Sequence, residues 1–336
     1  MNARSSVART ILGAAIVFAL AACSSASTQG PGGAVPGSSQ QAQALRGAIL
    51  PSGVDTRFGS PFHASLPARP EKKHKVEMDL FVSDAGPTVQ ILKNKTYQNV
   101  GSLTGFGDSD GVWVDKSGNL YVADVVNKDV VEYAPHQTSP KCTYSAGIVD
   151  PINVTTDLLG NVYVVDFNDL ESPGYIDKFA QCKNKIGKQL SVNMGPEGIA
   201  VDAHGNLFVS FFNAAFNGGF EEFKKGQSSP TPLGATVTSP GGLVLDKNAN
   251  LIADDQNGSI DLIAPPYSSA TPLVTGLSDP FHVALNKSEK LLFNANNGNG
   301  TVTVYDYPSG ALVTTLGTAN GLDGAEGVSD SPNAVF

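Results

Sequence analysis

Five times along the chain a short apolar run ends in Asp or Asn, passes through a polar turn and resumes as a second apolar run. The copies read "SDGVWVDKSGNLYVAD" from Ser109, "PINVTTDLLGNVYVVD" from Pro151, "PEGIAVDAHGNLFVS" from Pro196, "PGGLVLDKNANLIADD" from Pro240 and "PFHVALNKSEKLLFNA" from Pro280. Their anchors Asp115, Asp157, Asp202, Asp246 and Asn286 are 42, 45, 44 and 40 residues apart, a spacing that belongs to a propeller, solenoid or array. The alternation inside each copy predicts strand, tight hairpin and strand. A third alternating run follows ("DVVEYA", "GYIDKFA", "GGFEEFKK", "GSIDLIAP", "GTVTVYDY"), then a turn and a weaker fourth. Four short strands per repeat, with no helical periodicity competing, make one propeller blade.

The chain ends complete the ring. Residues 80–92 match the second and third strands of a unit but lack a first, whereas "AEGVSD" from Ala325 begins like a first strand and stops. One composite blade from both termini plus five interior units predicts an all-β, six-bladed propeller, with seven blades as the alternative. Closing the ring this way pairs strand edges that would otherwise stay open. The recurrent Asp is expected to cap the hairpin by accepting backbone amides. Asp84, Asp124, Asp166 and Asp255, at the exit of the second strand, are expected in turn or inter-blade hydrogen bonds.

The phrase P-x-G-I-A-V-D-x-x-G-N-L-Y-V-A-D resembles the NHL repeat, shared in looser form by the gluconolactonase-like and strictosidine-synthase-like six-bladed propellers. The resemblance covers about residues 76–336. It departs from the pattern in lacking the Arg common in the third NHL strand and in its fourth and fifth units, where Asn250 and Lys290 stand at the Gly-Asn turn.

Ahead of the repeats lie Arg4 and Arg9, an apolar run from Ile11 to Ala22, and Cys23. This order is that of a secretory signal, and twelve residues are too few to span a bilayer core of roughly 30 Å. Leu20-Ala21-Ala22-Cys23 resembles the bacterial lipobox, which implies cleavage before Cys23, lipidation of its sulfur and a membrane held through acyl chains. With Ser24 and Ser25 rather than Asp following, the resemblance implies an outer-membrane lipoprotein of the cell envelope, facing periplasm or cell surface. Residues 1–22 thus read as signal peptide, 23–75 as a Gly/Ser/Pro/Gln-rich tether, and 76–336 as the propeller. His63 and His74 fall in or beside the tether. Cys142 and Cys182 remain as an even pair in an oxidising compartment, with bonded and free states both open.

The net charge of −9 becomes more negative once Arg4 and Arg9 are removed, which disfavours nucleic acid as a partner. Candidate chemistry gathers where the innermost strands begin. The residue after the initial Pro, or its equivalent, is Asp110, Ile152, Glu197, Gly241, Phe281 and Glu326 around the ring, and the next is Gly111, Asn153, Gly198, Gly242, His282 and Gly327. Gly recurs where backbones approach closely, so Asn153 and His282 stand out.

Asp110, Asn153, Glu197, His282 and Glu326 are therefore the candidate channel-mouth ligand-binding set. The gluconolactonase-like resemblance implies a divalent cation such as Ca²⁺, with Glu197 and Asn153 as the matching ligand types. The plainer alternative is that these side chains line a water-filled channel. His282 is the one histidine placed as a general base, His136 and His204 lying in loops. No G-x-S-x-G, phosphate loop or H-E-x-x-H is present. The insertion "FFNAAFNGGFEEF" (211–223) offers aromatic surface or inter-blade filling, with Glu221 and Glu222 expected at the surface. These features point to a binding or interaction scaffold for a protein, peptide or glycan, with a divalent-metal-dependent hydrolase or lyase as the alternative.

Overall fold

The computed structural model describes residues 79–168 and 172–331. The signal peptide (1–22) and the whole tether (23–75), with Cys23, His63 and His74, lie outside them. Six four-stranded antiparallel sheets form the ring. Five are consecutive in sequence, with innermost strands Ser109–Val114, Pro151–Thr156, Gly195–Val201, Pro240–Leu245 and Pro280–Leu285 (blades 1 to 5). Blade 6 is composite: Ala325–Asp330 is its innermost strand and pairs with Asp79–Asp84, which continues into Thr88–Lys93 and Asn99–Thr104. This is the closure expected from the truncated units at the two ends.

Neighbouring sheets pack through apolar side chains that alternate along each strand. Between blades 1 and 2, for example, Tyr121, Val130 and Tyr144 meet Val154, Val164 and Phe179. Trp113 adds a directed link, its indole Nε1 donating to Thr156 Oγ1 at 2.9 Å.

The recurrent Asp shapes each hairpin. Asp115 Oδ1 accepts the amides of Ser117 and Asn119 at 2.8 and 2.9 Å while Oδ2 accepts Asn119 Nδ2 at 2.7 Å. Asp157, Asp202 and Asp246 repeat the arrangement. The turn then needs a left-handed residue, supplied by Gly118, Gly160 and Gly205. In the two degenerate units Ala249 (φ 61°) and Glu289 (φ 50°) take that conformation without glycine's freedom, and the last hairpin is one residue longer, Asn286 N–H donating to Leu291 O.

The second recurrent Asp fastens the end of the second strand to the connection arriving from the previous blade. Asp124 accepts the amides of Gly107 and Asp108, Asp166 those of Val149 and Asp150, and Asp255 those of Thr238 and Ser239. Asp84 does the same for Asp323 and Gly324 across the chain closure.

Two blades are also joined covalently. Cys142, on the outer strand of blade 1, forms a disulfide with Cys182, in the turn after the third strand of blade 2, at a Cα–Cα distance of 5.3 Å. That turn leans back onto blade 1, where Asn184 Oδ1 accepts the amides of Ser145 and Ala146. One expectation fails: Glu221 is fully buried. Its pairing opposite Val209 sets it on the sheet face that turns toward a neighbouring blade, while Glu222 is half-buried at the edge.

Candidate functional site

All the innermost strands start at one end of the ring, and the glycines of the second column explain how six fit there. A Cβ on Gly111 would meet Ile152 O at 2.6 Å, and one on Gly242 would meet His282 Cα at 2.8 Å. Each glycine makes room for the backbone of the following blade, the close approach expected from its recurrence.

Asn153 and His282 use the remaining axial space. They sit on blades 2 and 5, three positions apart in a ring of six, and meet across the axis with His282 Nε2 at 3.4 Å from Asn153 Oδ1. The other imidazole nitrogen, Nδ1, accepts the Val328 amide at 3.5 Å. That assigns the ring proton to Nε2, which donates to Asn153. Burial pushes His282 down to about 4, so near neutral pH the imidazole is uncharged and both nitrogens are engaged. Asn153 Nδ2 donates to Glu197 O at 3.2 Å.

The five candidate side chains are not water-exposed channel lining. Asp110 is 1% exposed, Glu326 3%, Asn153 5%, Glu197 7% and His282 8%. For Asn153 and His282 the contact across the axis contributes to this. Glu326 Oε1 accepts Asn297 Nδ2 at 3.0 Å, so that carboxylate is tied to the loop between the second and third strands of blade 5.

A second tier beside this set escaped the sequence reading. Ser83 Oγ accepts the Gly327 amide at 2.6 Å and donates to Asp110 O. Ser210 Oγ accepts the Gly198 amide at 2.7 Å and donates to Gly241 O at 2.6 Å. Each hydroxyl therefore bridges its own innermost strand to that of the next blade. Blade 4 carries Asp254 at the equivalent position, fully buried against Gly241 and Gly242. Its carboxyl is held well above the usual range by burial first and by Asp255 and Asp279 in addition, with the Gly242 amide opposing. The visible signal was the residue just before the second recurrent Asp or its equivalent, Ser83, Ser210 and Asp254 where blades 1 and 2 have Ala123 and Val165.

The fit of a divalent cation to this end is poor. Among the described residues, Glu132, Cys142 and Cys182 are the one group of three or more His, Cys, Asp or Glu whose ligand atoms lie within 4.8 Å of one another, and both cysteines are in the disulfide. The Asn153 carboxamide is committed to His282 and Glu197. Glu197 with Asn153 therefore does not form a cation cage, and no catalytic step is derived through one.

The aromatic insertion divides between two roles. Phe212, Phe220 and Phe223 are buried, and Phe211 packs against the apolar cluster between blades 2 and 3. Phe216 lies in the mouth-side loop, half-buried and stacked on Phe212 with centroids 6.2 Å apart. Around it the mouth-side loops carry Asp108, Asp150, Asp279 and Asp323, the exposed valines Val126 and Val149, and one lysine, Lys128. The arrangement offers an acidic surface with apolar points set around a closed axis.

No protein-family model matches the chain, and no curated protein matches it in sequence. Solved structures share its fold. It is similar to a chain of a nidogen/laminin complex, with a TM-score of 0.62 and 18% identity over 76% of this chain and 98% of that one. A functionally unknown protein from Desulfotomaculum acetoxidans gives 0.56 at 14% identity over 77% and 100%. A protein of unknown function from Bacteroides caccae gives 0.58 at 13% over 76% and 98%. At these identities the likeness is one of fold: an all-β, six-bladed propeller.

Proposed function

We propose that the chain is an envelope-anchored binding scaffold of the NHL-like kind, held to a membrane through acyl chains on Cys23 and presenting its mouth face to a protein or peptide with basic side chains. The observation that carries the reading is the mouth itself. Its axis is closed by Asn153 and His282, its rim is acidic, and Phe216, Val126 and Val149 give apolar contacts between the charges. Such a surface binds by complementarity of charge with a few apolar anchors. The disulfide supports an oxidising, extracytoplasmic setting, and a chain of similar fold comes from a nidogen/laminin complex, an assembly of proteins.

The test is fluorescence anisotropy with labelled peptides of matched length that are basic, neutral or acidic. The reading expects selective binding of the basic peptides, weakened by salt and by Asp323→Asn with Asp108→Asn. Equal binding of all three sets, or selectivity unchanged in the double variant, removes it. The anchor is tested separately by the mass of the mature N-terminal peptide and by loss of membrane association in Cys23→Ser.

A further inference from the structure

The face opposite the mouth has the reverse character. The turns between first and second strands of blades 1 to 5 and those between third and fourth strands of all six blades lie at that end, and thirteen of the fourteen described lysines lie in these turns or the strands flanking them. All six blades contribute, and Lys128 alone is at the mouth. Ten of the thirteen are exposed. Most carboxylates at this end are recessed: Asp115, Glu132, Asp246, Glu289 and Asp330 are buried, Asp115 and Asp246 accepting hairpin amides, Asp79, Asp157, Asp202 and Glu222 are half-buried, and Asp306 is exposed. The amines therefore stand outermost.

Blades 2 and 3 concentrate the pattern. Between them runs a groove of about 300 Å³ lined by Lys178, Lys188, Lys224 and Lys225 together with Asp157 and Asp202. Lys188 Nζ donates to Gly226 O and Gln227 O, and Lys178 Nζ lies 3.9 Å from Asp157, so Lys224 and Lys225, both exposed, point the groove's charge outward. At its lip the blade 2 hairpin carries Leu158 and Leu159, 39% and 81% exposed, where the other hairpins place Lys-Ser, Ala-His, Lys-Asn and Lys-Ser.

We propose that this underside docks on an anionic phospholipid bilayer, lysines against headgroup phosphates and the Leu158–Leu159 tip at the acyl boundary. Lysines spread over all six blades suit a flat, extended anionic surface rather than one peptide, and an exposed Leu pair amid them suits an interface with an apolar layer beneath. Asp79 and Ser331, where the described residues begin and end, also lie at this end of blade 6. The inference deepens the scaffold reading by orienting the mouth away from the membrane, and it does not require acylation of Cys23.

The experiment uses the full chain carrying Cys23→Ser, sedimented with phosphatidylethanolamine vesicles containing about 30% phosphatidylglycerol, or with neutral phosphatidylcholine vesicles. The expected result is binding to the anionic vesicles, reversed by salt, with about tenfold or greater loss in Lys224→Glu/Lys225→Glu and a smaller loss in Leu158→Ser/Leu159→Ser. All four sites are exposed turn positions, and circular dichroism confirms folding. Equal binding to neutral vesicles, or binding unchanged in both variants, overturns the proposal. Capture by an acidic polypeptide such as polyglutamate without vesicle binding also overturns it, in favour of a protein partner. Because the acyl site is absent throughout, failure of the anchor reading shows separately, in the mass of the wild-type N-terminus.

Discussion

Glu221 gives a pH test of the packing between blades. It is fully buried, and burial pushes its carboxyl from an ordinary 4.5 up to about 7, even though Asn193 Nδ2 donates to it at 3.1 Å and opposes the rise. A carboxyl raised in the folded state costs nothing below its unfolded value, where both states are protonated. As pH climbs through the folded value it must ionise in place or stay protonated against solution, so stability is lost. A rise of about 2.5 units corresponds to about 3 kcal/mol once both states would otherwise ionise. Glu221→Gln keeps an acceptor for Asn193 and removes the titration. The variant's stability relative to wild type should therefore increase by about 2.5 kcal/mol between pH 5 and pH 8. Urea unfolding followed through Trp113 fluorescence at a series of pH values reads this directly. If the difference between variant and wild type is constant from pH 5 to pH 8, Glu221 is ionised at ordinary cost and the burial argument is wrong.

Two further outcomes follow from the ring's construction. Replacing Cys142 and Cys182 together by Ser opens a loop with a sequence separation of 40, which the chain-entropy treatment values at about 4 kcal/mol; a denaturant midpoint unchanged from the oxidised wild type would count against a stabilising role. Gly111→Ala places a methyl 2.6 Å from Ile152 O and 2.8 Å from Asn153 Cα, and overpacking of this kind costs about 1–3 kcal/mol. Thermal unfolding should show the loss, whereas a neutral result would mean that the innermost strands can separate without penalty.

The ring was legible because its information is local and repeated. The Asp-x-x-Gly-Asn turn fixes three of the hairpins within five residues and its degenerate forms the other two, and the first-strand fragment at Ala325 identified its partner at the other end of the chain. The mouth was legible as a column of positions but not as a geometry. Asn153 and His282 are 129 residues apart, and nothing in either unit states that blades 2 and 5 face each other closely enough for their side chains to touch. Asp254 was hidden for another reason. "DD" reads as two polar residues at a strand exit, yet the first faces the packed axis and the second accepts loop amides. Glu221 misled in the same way, because a Glu-Glu pair reads as surface until the pairing register shows which of the two points inward.

Two opposite faces arise from one repeated unit because the recurrent positions and the free positions lie at different places in the blade. The Asp or Asn of each hairpin is consumed by its own turn, and the two residues after it vary: Lys-Ser, Leu-Leu, Ala-His, Lys-Asn and Lys-Ser. At the other end the second Asp is consumed by the incoming connection, and the loops there carry Asp323, Phe216 and the exposed Val126 and Val149. The fold does not account for the hairpin choices: Ser or Asn in place of Lys would close the same turns. The polarity of the ring is thus a property laid over the fold at positions whose identity folding does not dictate. It is there, and not in the invariant turn residues, that substitutions should change binding while leaving stability within about 0.5 kcal/mol of wild type.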